Sequence, residues 1–125
     1  MNHLDTVREI RNTTNCNCTQ SLLVAFAAEM GMEAEEAKKM GSFFGGGMLH
    51  GSVCGALSGT LMILGKQGVN QKEALDIIKT FRMNHATTDC AVLLSEAVKK
   101  GVARKDHCDN LIFEMCQAID DILSK

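Results

Sequence analysis

The chain has 125 residues, with 15 acidic against 13 basic side chains, a formal net charge of −2, five Phe, and no Trp, Tyr or Pro. So even a balance leaves no basic footprint for nucleic acid or an anionic membrane, and so few aromatics leave little for bases to stack on. The length is that of one domain with a core of its own, residues 1–125, and the absence of proline beside abundant Ala, Leu, Met, Glu and Lys favours helices.

Leu4, Val7 and Ile10 mark a short amphipathic helix in a charged opening segment, Met1–Arg11, that does not read as a secretory signal. "CTQSLLVAFAAEMG" (18–31) is a mostly apolar helix with a glycine stop. "EAEEAKKMGSFF" (33–44) is amphipathic, with Ala37, Met40 and Phe44 inward. A glycine-rich loop follows. "VCGALSGTLMILGKQG" (53–68) has no charged face over its first thirteen residues, which predicts a buried central helix. Its apolar run is broken by Ser58 and Thr60 and falls short of the roughly 20 residues that cross a bilayer. "NQKEALDIIKTFRMNH" (70–85) opens on Asn70 with Glu73 three residues on, a capping-box-like start, and has Ala74, Ile77, Ile78 and Phe81 as its inner stripe. "TTDCAVLLSEAVKKG" (87–101) starts at a Thr cap and ends in Lys-Lys-Gly. "DHCDNLIFEMCQAIDDIL" (106–123) buries Leu111, Ile112, Met115, Ile119 and Ile122. Nothing alternates with period two, so the fold class is all-α, a bundle of about six helices. No membrane insertion is expected, and the location is read as cytoplasmic.

The six cysteines have no export signal beside them, which turns the reading from disulfides toward metal binding, redox chemistry or burial. Their placement is the informative part. Ser52-x-Cys54, Thr88-x-Cys90 and Asp106-x-Cys108 each set a capping residue two places before a cysteine, and Cys18 follows Asn17 at a helix start. Four thiols from four helices would then lie in first turns, where free N–H groups and the helix dipole stabilise a thiolate. Cys116 lies about 12 Å along the helix from Cys108, so one ion cannot take both, and its apolar stripe reads as burial. Cys16 precedes its helix and competes with Cys18 as a ligand.

The loop "FFGGGMLHGSVCG" supplies Gly45, Gly46 and Gly47, and Gly55 opens the next helix. These glycines are read as a cofactor-binding cradle whose N–H groups face thiolates, cluster sulfides or a small anion; the plain alternative is a tight turn between packed helices. No lysine lies between Met40 and Gly65, so the loop is not a P-loop. His107 beside Cys108 is a candidate fourth ligand, and His50 in the loop a candidate proton donor. His3 and His85 carry no signal.

"NCTQSLL" with Cys18, "FGGGM" followed by "GSVCGALSG" with Cys54, "TTDCAVLL" with Cys90 and "HCDNLI" with Cys108 together resemble the redox-active C-GCAxxG-C-C family over nearly the whole chain. The resemblance implies that Cys18, Cys54, Cys90 and Cys108 act together. Related cysteine domains in split-Soret cytochromes are associated with an iron–sulfur centre.

The leading expectation is an iron–sulfur cluster on those four thiolates, passing electrons to an unidentified redox partner. The second is metal-free thiol–disulfide exchange between helices. The third is a zinc-stabilised site, on four thiolates or three plus His107, or a purely structural module whose loop binds a small anion. No enzymatic reaction is read from the residues. One topological condition applies to all. In an up-down bundle the helices of Cys18, Cys54 and Cys90 start at one end and that of Cys108 at the other. Cys108 joins them only if residues 101–105 return along the bundle or a second chain, as in a homodimer, supplies it.

Overall fold

The computed structural model describes residues 2–125, so only Met1 of the charged opening segment lies outside it. Seven helices follow one another among the described residues: α1 (His3–Thr13), α2 (Cys18–Ala25), α3 (Ala34–Met40), α4 (Gly55–Lys66), α5 (Gln71–His85), α6 (Cys90–Lys99) and α7 (Arg104–Leu123). The class is all-α, with one helix more than the expected six or so. The extended contact among these residues is a single antiparallel bridge, Val53 to Asp89. No described helix is long and apolar enough to cross a membrane.

The apolar stripe of α4 explains its central place. Ala56, Leu57, Ile63 and Leu64 are buried, together with Gly59 and Thr60. Gly59 lets α2 come close, since a Cβ there would stand 3.4 Å from the Thr19 backbone. The core joins these residues to Leu22 and Leu23 of α2, Phe26 just past its end, Phe81 of α5, and Ile112, Met115 and Ile119 of α7. Each large side chain buried in this way is worth about 1.5–3 kcal/mol. Phe81 is fully buried at the end of its predicted stripe, and Asn70 caps α5 by accepting the Glu73 N–H at 2.9 Å.

Several boundaries differ from the sequence reading. α2 stops at Ala25, because Phe26 leaves helical geometry and the chain tightens through turns to Gly31 at φ +68°. Those turns still bury Phe26, Ala27 and Met30, so an apolar run that reads as helix serves the core as a turn. α3 buries Ala37, but Met40 is 47% exposed, because the helix ends there. Asp89, not a threonine, caps α6, accepting the Ala91 N–H at 3.0 Å; Thr87 Oγ1 instead accepts the Asp89 N–H at 3.1 Å and shapes the approach. α7 begins at Arg104, with Ala103 in the cap position, so Asp106 lies inside its first turn. An acid in the first turn and an acid at the cap both suit the dipole, and spacing alone does not separate them.

Candidate functional site

The site is assembled from three helix starts and one second turn. At the first, Asn17 and Gln20 form a capping box: Asn17 Oδ1 accepts the Gln20 N–H at 2.8 Å and Gln20 Oε1 accepts the Asn17 N–H at 2.9 Å. Asn17 Nδ2 also donates to the Gly41 carbonyl at 3.1 Å. Cys18 is thereby the first helical residue of α2, fixed against the turn that leads into the glycine loop. Thr19 Oγ1, fully buried, donates to the Gly55 carbonyl at 2.8 Å and ties α2 to α4.

The second and third starts are locked to each other. Cys54 N–H donates to the Thr88 carbonyl at 2.8 Å, and Cys90 N–H donates to the Ser52 carbonyl at 2.6 Å. This pair of bonds flanks the Val53–Asp89 bridge and sets Cys54 and Cys90 at its two corners. Cys54 is itself the N-cap residue of α4, in the position where Ser52 was expected to act. The Leu57 and Ala56 amides face its sulfur.

Glycine serves this assembly by close approach. Residues 46–49 form a left-handed turn, with φ of 63°, 67°, 60° and 68° at Gly46, Gly47, Met48 and Leu49. A side chain at Gly47 would come within 2.5 Å of the Ser52 nitrogen and 2.8 Å of Cys90 Cβ. One at Gly55 would come within 2.9 Å of Thr19 Oγ1 and 3.1 Å of Cys18 Cβ. Gly45 lies against the Asn17 side chain, whereas Gly46 faces open space. The Met48 and Ser52 N–H groups are bonded to the Phe44 and Gly47 carbonyls, so they close the turn on itself. Met48 and Leu49 hold left-handed backbone without being glycine, at a cost of roughly 1–2 kcal/mol each, and their side chains are exposed.

The fourth cysteine enters from α7, in its second turn. The Cys18 and Cys108 thiols act on each other directly, Cys18 holding its proton and Cys108 giving its up. Cys54 feels both Cys90 and Cys108, and Cys90 feels Cys108. Within one chain, Cys108 is therefore in electrostatic reach of each of the other three. The geometry allows this because α6 is only ten residues long, about 15 Å, and residues 100–103 with the first turn of α7, which rises about 6 Å, bring the chain back to Cys108. Arg11 secures the approach from α1: its Nε donates to Asp109 Oδ1 at 2.6 Å and its Nη1 to the Cys16 carbonyl at 2.8 Å. Lys105 Nζ takes the other Asp109 oxygen at 2.7 Å.

The four thiols are not equivalent, and the expected lowering at helix starts does not carry through. Hydrogen bonding to Cys108 and burial push Cys18 up strongly. Burial pushes Cys54 up to about 11, against the pull of the Leu57 and Ala56 amides. Burial, then the neighbouring Cys108, raises Cys90. Cys108 alone falls below the ordinary thiol range, because the Cys18 thiol donates to it and Arg11 and Arg104 lie nearby, outweighing burial. The desolvation of a buried thiolate exceeds what one helix end returns. The low-pKa thiol is the one with a thiol donor and two guanidinium groups beside it.

The remaining candidates fall outside this set. Cys116 is fully buried, its thiol pushed up to about 12 by burial and then Asp120. Cys16 is buried, and its carbonyl is held by Arg11. His50 is exposed in the loop. His107 lines a cavity of about 700 Å³ with His85, Asn110 and Glu114, and none of the four cysteines lines it. All six cysteines are free thiols. Among the described residues, no three His, Cys, Asp or Glu side chains are grouped so that one metal ion could be held. The sequence reading passed over Arg104, four residues before Cys108 and on the same helix face, and over Arg11, which only the fold brings near.

A family model described as "Putative redox-active protein (C_GCAxxG_C_C)" matches residues 16–122. No curated protein and no solved structure matches the chain.

Proposed function

The chain belongs to the C_GCAxxG_C_C family of redox-active proteins, and from that premise we propose that Cys18 and Cys108 form a thiol–disulfide couple. The observation that carries this reading is the pairing of the two thiols, one raised and the other lowered by their mutual interaction, which puts a resolving thiol beside a stabilised thiolate. Cys108 is the attacking group, since the thiolate is the nucleophile and it is the cysteine whose pKa falls. It attacks one sulfur of an incoming disulfide, forming a mixed disulfide and releasing a thiolate. Cys18 then gives its proton to the released thiolate and attacks the Cys108 sulfur. The internal bond forms and the second substrate thiolate leaves. The protein gives up two electrons and the substrate disulfide accepts them. A reducing compartment such as the cytoplasm keeps the pair ready for this chemistry.

A second reading rests on a different observation, the shared electrostatic neighbourhood of all four thiols. Four cysteines are the usual ligand set of an iron–sulfur cluster, which spreads its ligands wider than a single ion does. Cys18, Cys54, Cys90 and Cys108 would hold it, and the Leu57 and Ala56 amides with Arg11 and Arg104 would offset its negative charge. Bound there, a cluster would supply one-electron transfer.

Iron, sulfide, zinc and thiol analysis of protein purified without oxygen separates these readings. Iron-free, colourless protein in which mild oxidation links Cys18 to Cys108, found by peptide mapping, is the expected result. Stoichiometric iron and sulfide with visible absorption would replace the dithiol couple by the cluster, and stoichiometric zinc would make the site structural.

A further inference from the structure

Half of the eight methionines of the chain line one cavity. It has a volume of about 390 Å³ and lies where the turn after α2, the end of α3 and the middle of α4 meet, walled by Met30, Met32, Met40 and Met62. No cysteine, histidine, aromatic or branched aliphatic side chain shares the lining. A gap left by imperfect helix packing would be walled by the Leu, Ile and Phe that fill the rest of this core. Gly31, at φ +68°, sets Met30 and Met32 on either side of its turn, and their N–H groups donate to the Ala27 carbonyl at 3.1 and 2.9 Å. Met30 is buried, Met32 and Met62 are half-buried against the core, and Met40 is 47% exposed. Three of the side chains are thus held by packing and the fourth stands at the mouth. A side chain at Gly31 would meet nothing within 4 Å, so the approach is open. The charged groups on the lining are Glu36 and Lys66, one of each sign. A thioether is neutral, polarizable and soft, a ligand for Cu(I) and a poor one for Mg(II) or Ca(II).

We propose that this cavity binds a soft monovalent cation, Cu(I), through the thioethers of Met30, Met32, Met40 and Met62. None of the six cysteines lines it, and the proposal does not depend on the thiol–disulfide reading. Binding is a ligand exchange. Thioether lone pairs replace the ligands that carried the ion in, no proton is released and no electron moves. Neutral donors between one carboxylate and one ammonium suit a single positive charge better than a double one.

The test uses the reduced full-length protein labelled with carbon-13 at the methionine methyls. Silver(I), the air-stable analogue of Cu(I), is titrated in and each methyl is followed by NMR. Thiols take silver as well, so binding in the cavity is read on the methionines themselves. The methyls of Met30, Met32, Met40 and Met62 should move together and saturate with one ion. They should do so ahead of Met48 and Met83, which are exposed but do not line this cavity. Zn(II) should leave all four in place. A thioether carries no proton, so the midpoint should be the same at about pH 5.5 and about pH 7.5, whereas a thiolate site weakens in acid. Met40→Leu combined with Met62→Leu keeps volume and apolar surface. It should weaken binding by at least the roughly tenfold that even an outer-sphere partner is worth, and Met83→Leu should leave it unchanged. Competition for Cu(I) against a chelator should rank the variants in the same order. Cavity methyls that stay in place, that respond no sooner than Met83, or whose midpoint weakens in acid would overturn the proposal. So would cavity methyls that respond to the apolar dye 1-anilinonaphthalene-8-sulfonate and not to silver, which would make the cavity a plain apolar cleft.

Discussion

At the scale of single residues the site is decided by who donates to whom. Cys108 owes its low pKa first to the Cys18 thiol and then to Arg11 and Arg104. Cys18→Ala should therefore shift the pH–rate profile of Cys108 alkylation toward the ordinary thiol range, further than Arg11→Gln does. Iodoacetamide kinetics followed across pH would check both, and a profile that does not move would remove Cys18 as donor. Cys116→Ser, on a thiol buried away from the others, should leave that profile in place. Cys54 gives a prediction of the opposite sign. Its folded pKa of about 11 lies above the ordinary 9.0, so the folded state holds its proton longer than the unfolded chain. Its contribution to stability is complete below pH 9 and is lost as the pH rises toward 11. Urea midpoints measured over that range should fall less steeply in Cys54→Ala than in the wild type. The cysteine spacing was legible in the sequence; the ordering of the pKa values was not, because it depends on burial and on Arg11, which belongs to another helix.

At the scale of elements, the glycines act as points of contact. A methyl at Gly55 would meet Thr19 Oγ1, Cys18 Cβ and the Phe44 carbonyl, all on segments that pack tightly. Gly55→Ala should cost about 1–3 kcal/mol, as overpacking does. It should also weaken the Cys18–Cys108 link formed on mild oxidation, because α2 must move off α4. Denaturant unfolding together with peptide mapping reads both effects, and an alanine variant of wild-type stability would contradict the close contact. The sequence pointed to small residues for close packing here, and α4 as the central helix followed from its lack of a charged face. It misplaced the start of α7 by two residues and ran α2 past Ala25. Both errors have one physical source: local preference does not distinguish a capping acid from a first-turn acid, nor a buried turn from a buried helix.

At the scale of the whole molecule, two long-range ties close the bundle. One is His3, whose ring stacks on Phe26 at 4.0 Å and bonds to Asp120 at 2.7 Å and Glu29 at 2.6 Å. Burial opposes its charge, but the two carboxylates outweigh burial and raise its pKa above 6.5. The stabilisation is thus fully present below pH 6.5 and is lost as the pH rises through the higher folded value. His3→Gln should flatten that dependence in thermal melts recorded between pH 5 and 8. The half-exposed setting limits the effect to about 1 kcal/mol or less. The other would form on oxidation, since a Cys18–Cys108 disulfide would enclose most of the chain. By loop-closure entropy a cross-link over about 100 residues stabilises by up to about 4.7 kcal/mol, so the oxidised form should unfold at a higher urea concentration than the reduced one. Composition, hydrophobic periodicity and cysteine spacing by themselves determined the all-α class, the central helix and the four thiols to watch, since each is written in local pattern. Only the tertiary structure decided that Cys18 meets Cys108 and Cys54 is locked to Cys90. It also decided that burial overrides the helix dipole at Cys54 and Cys90, and the Cys108 neighbour, with burial, at Cys18. Partner choice and desolvation are set by segments far apart in the chain, and no local spacing records them.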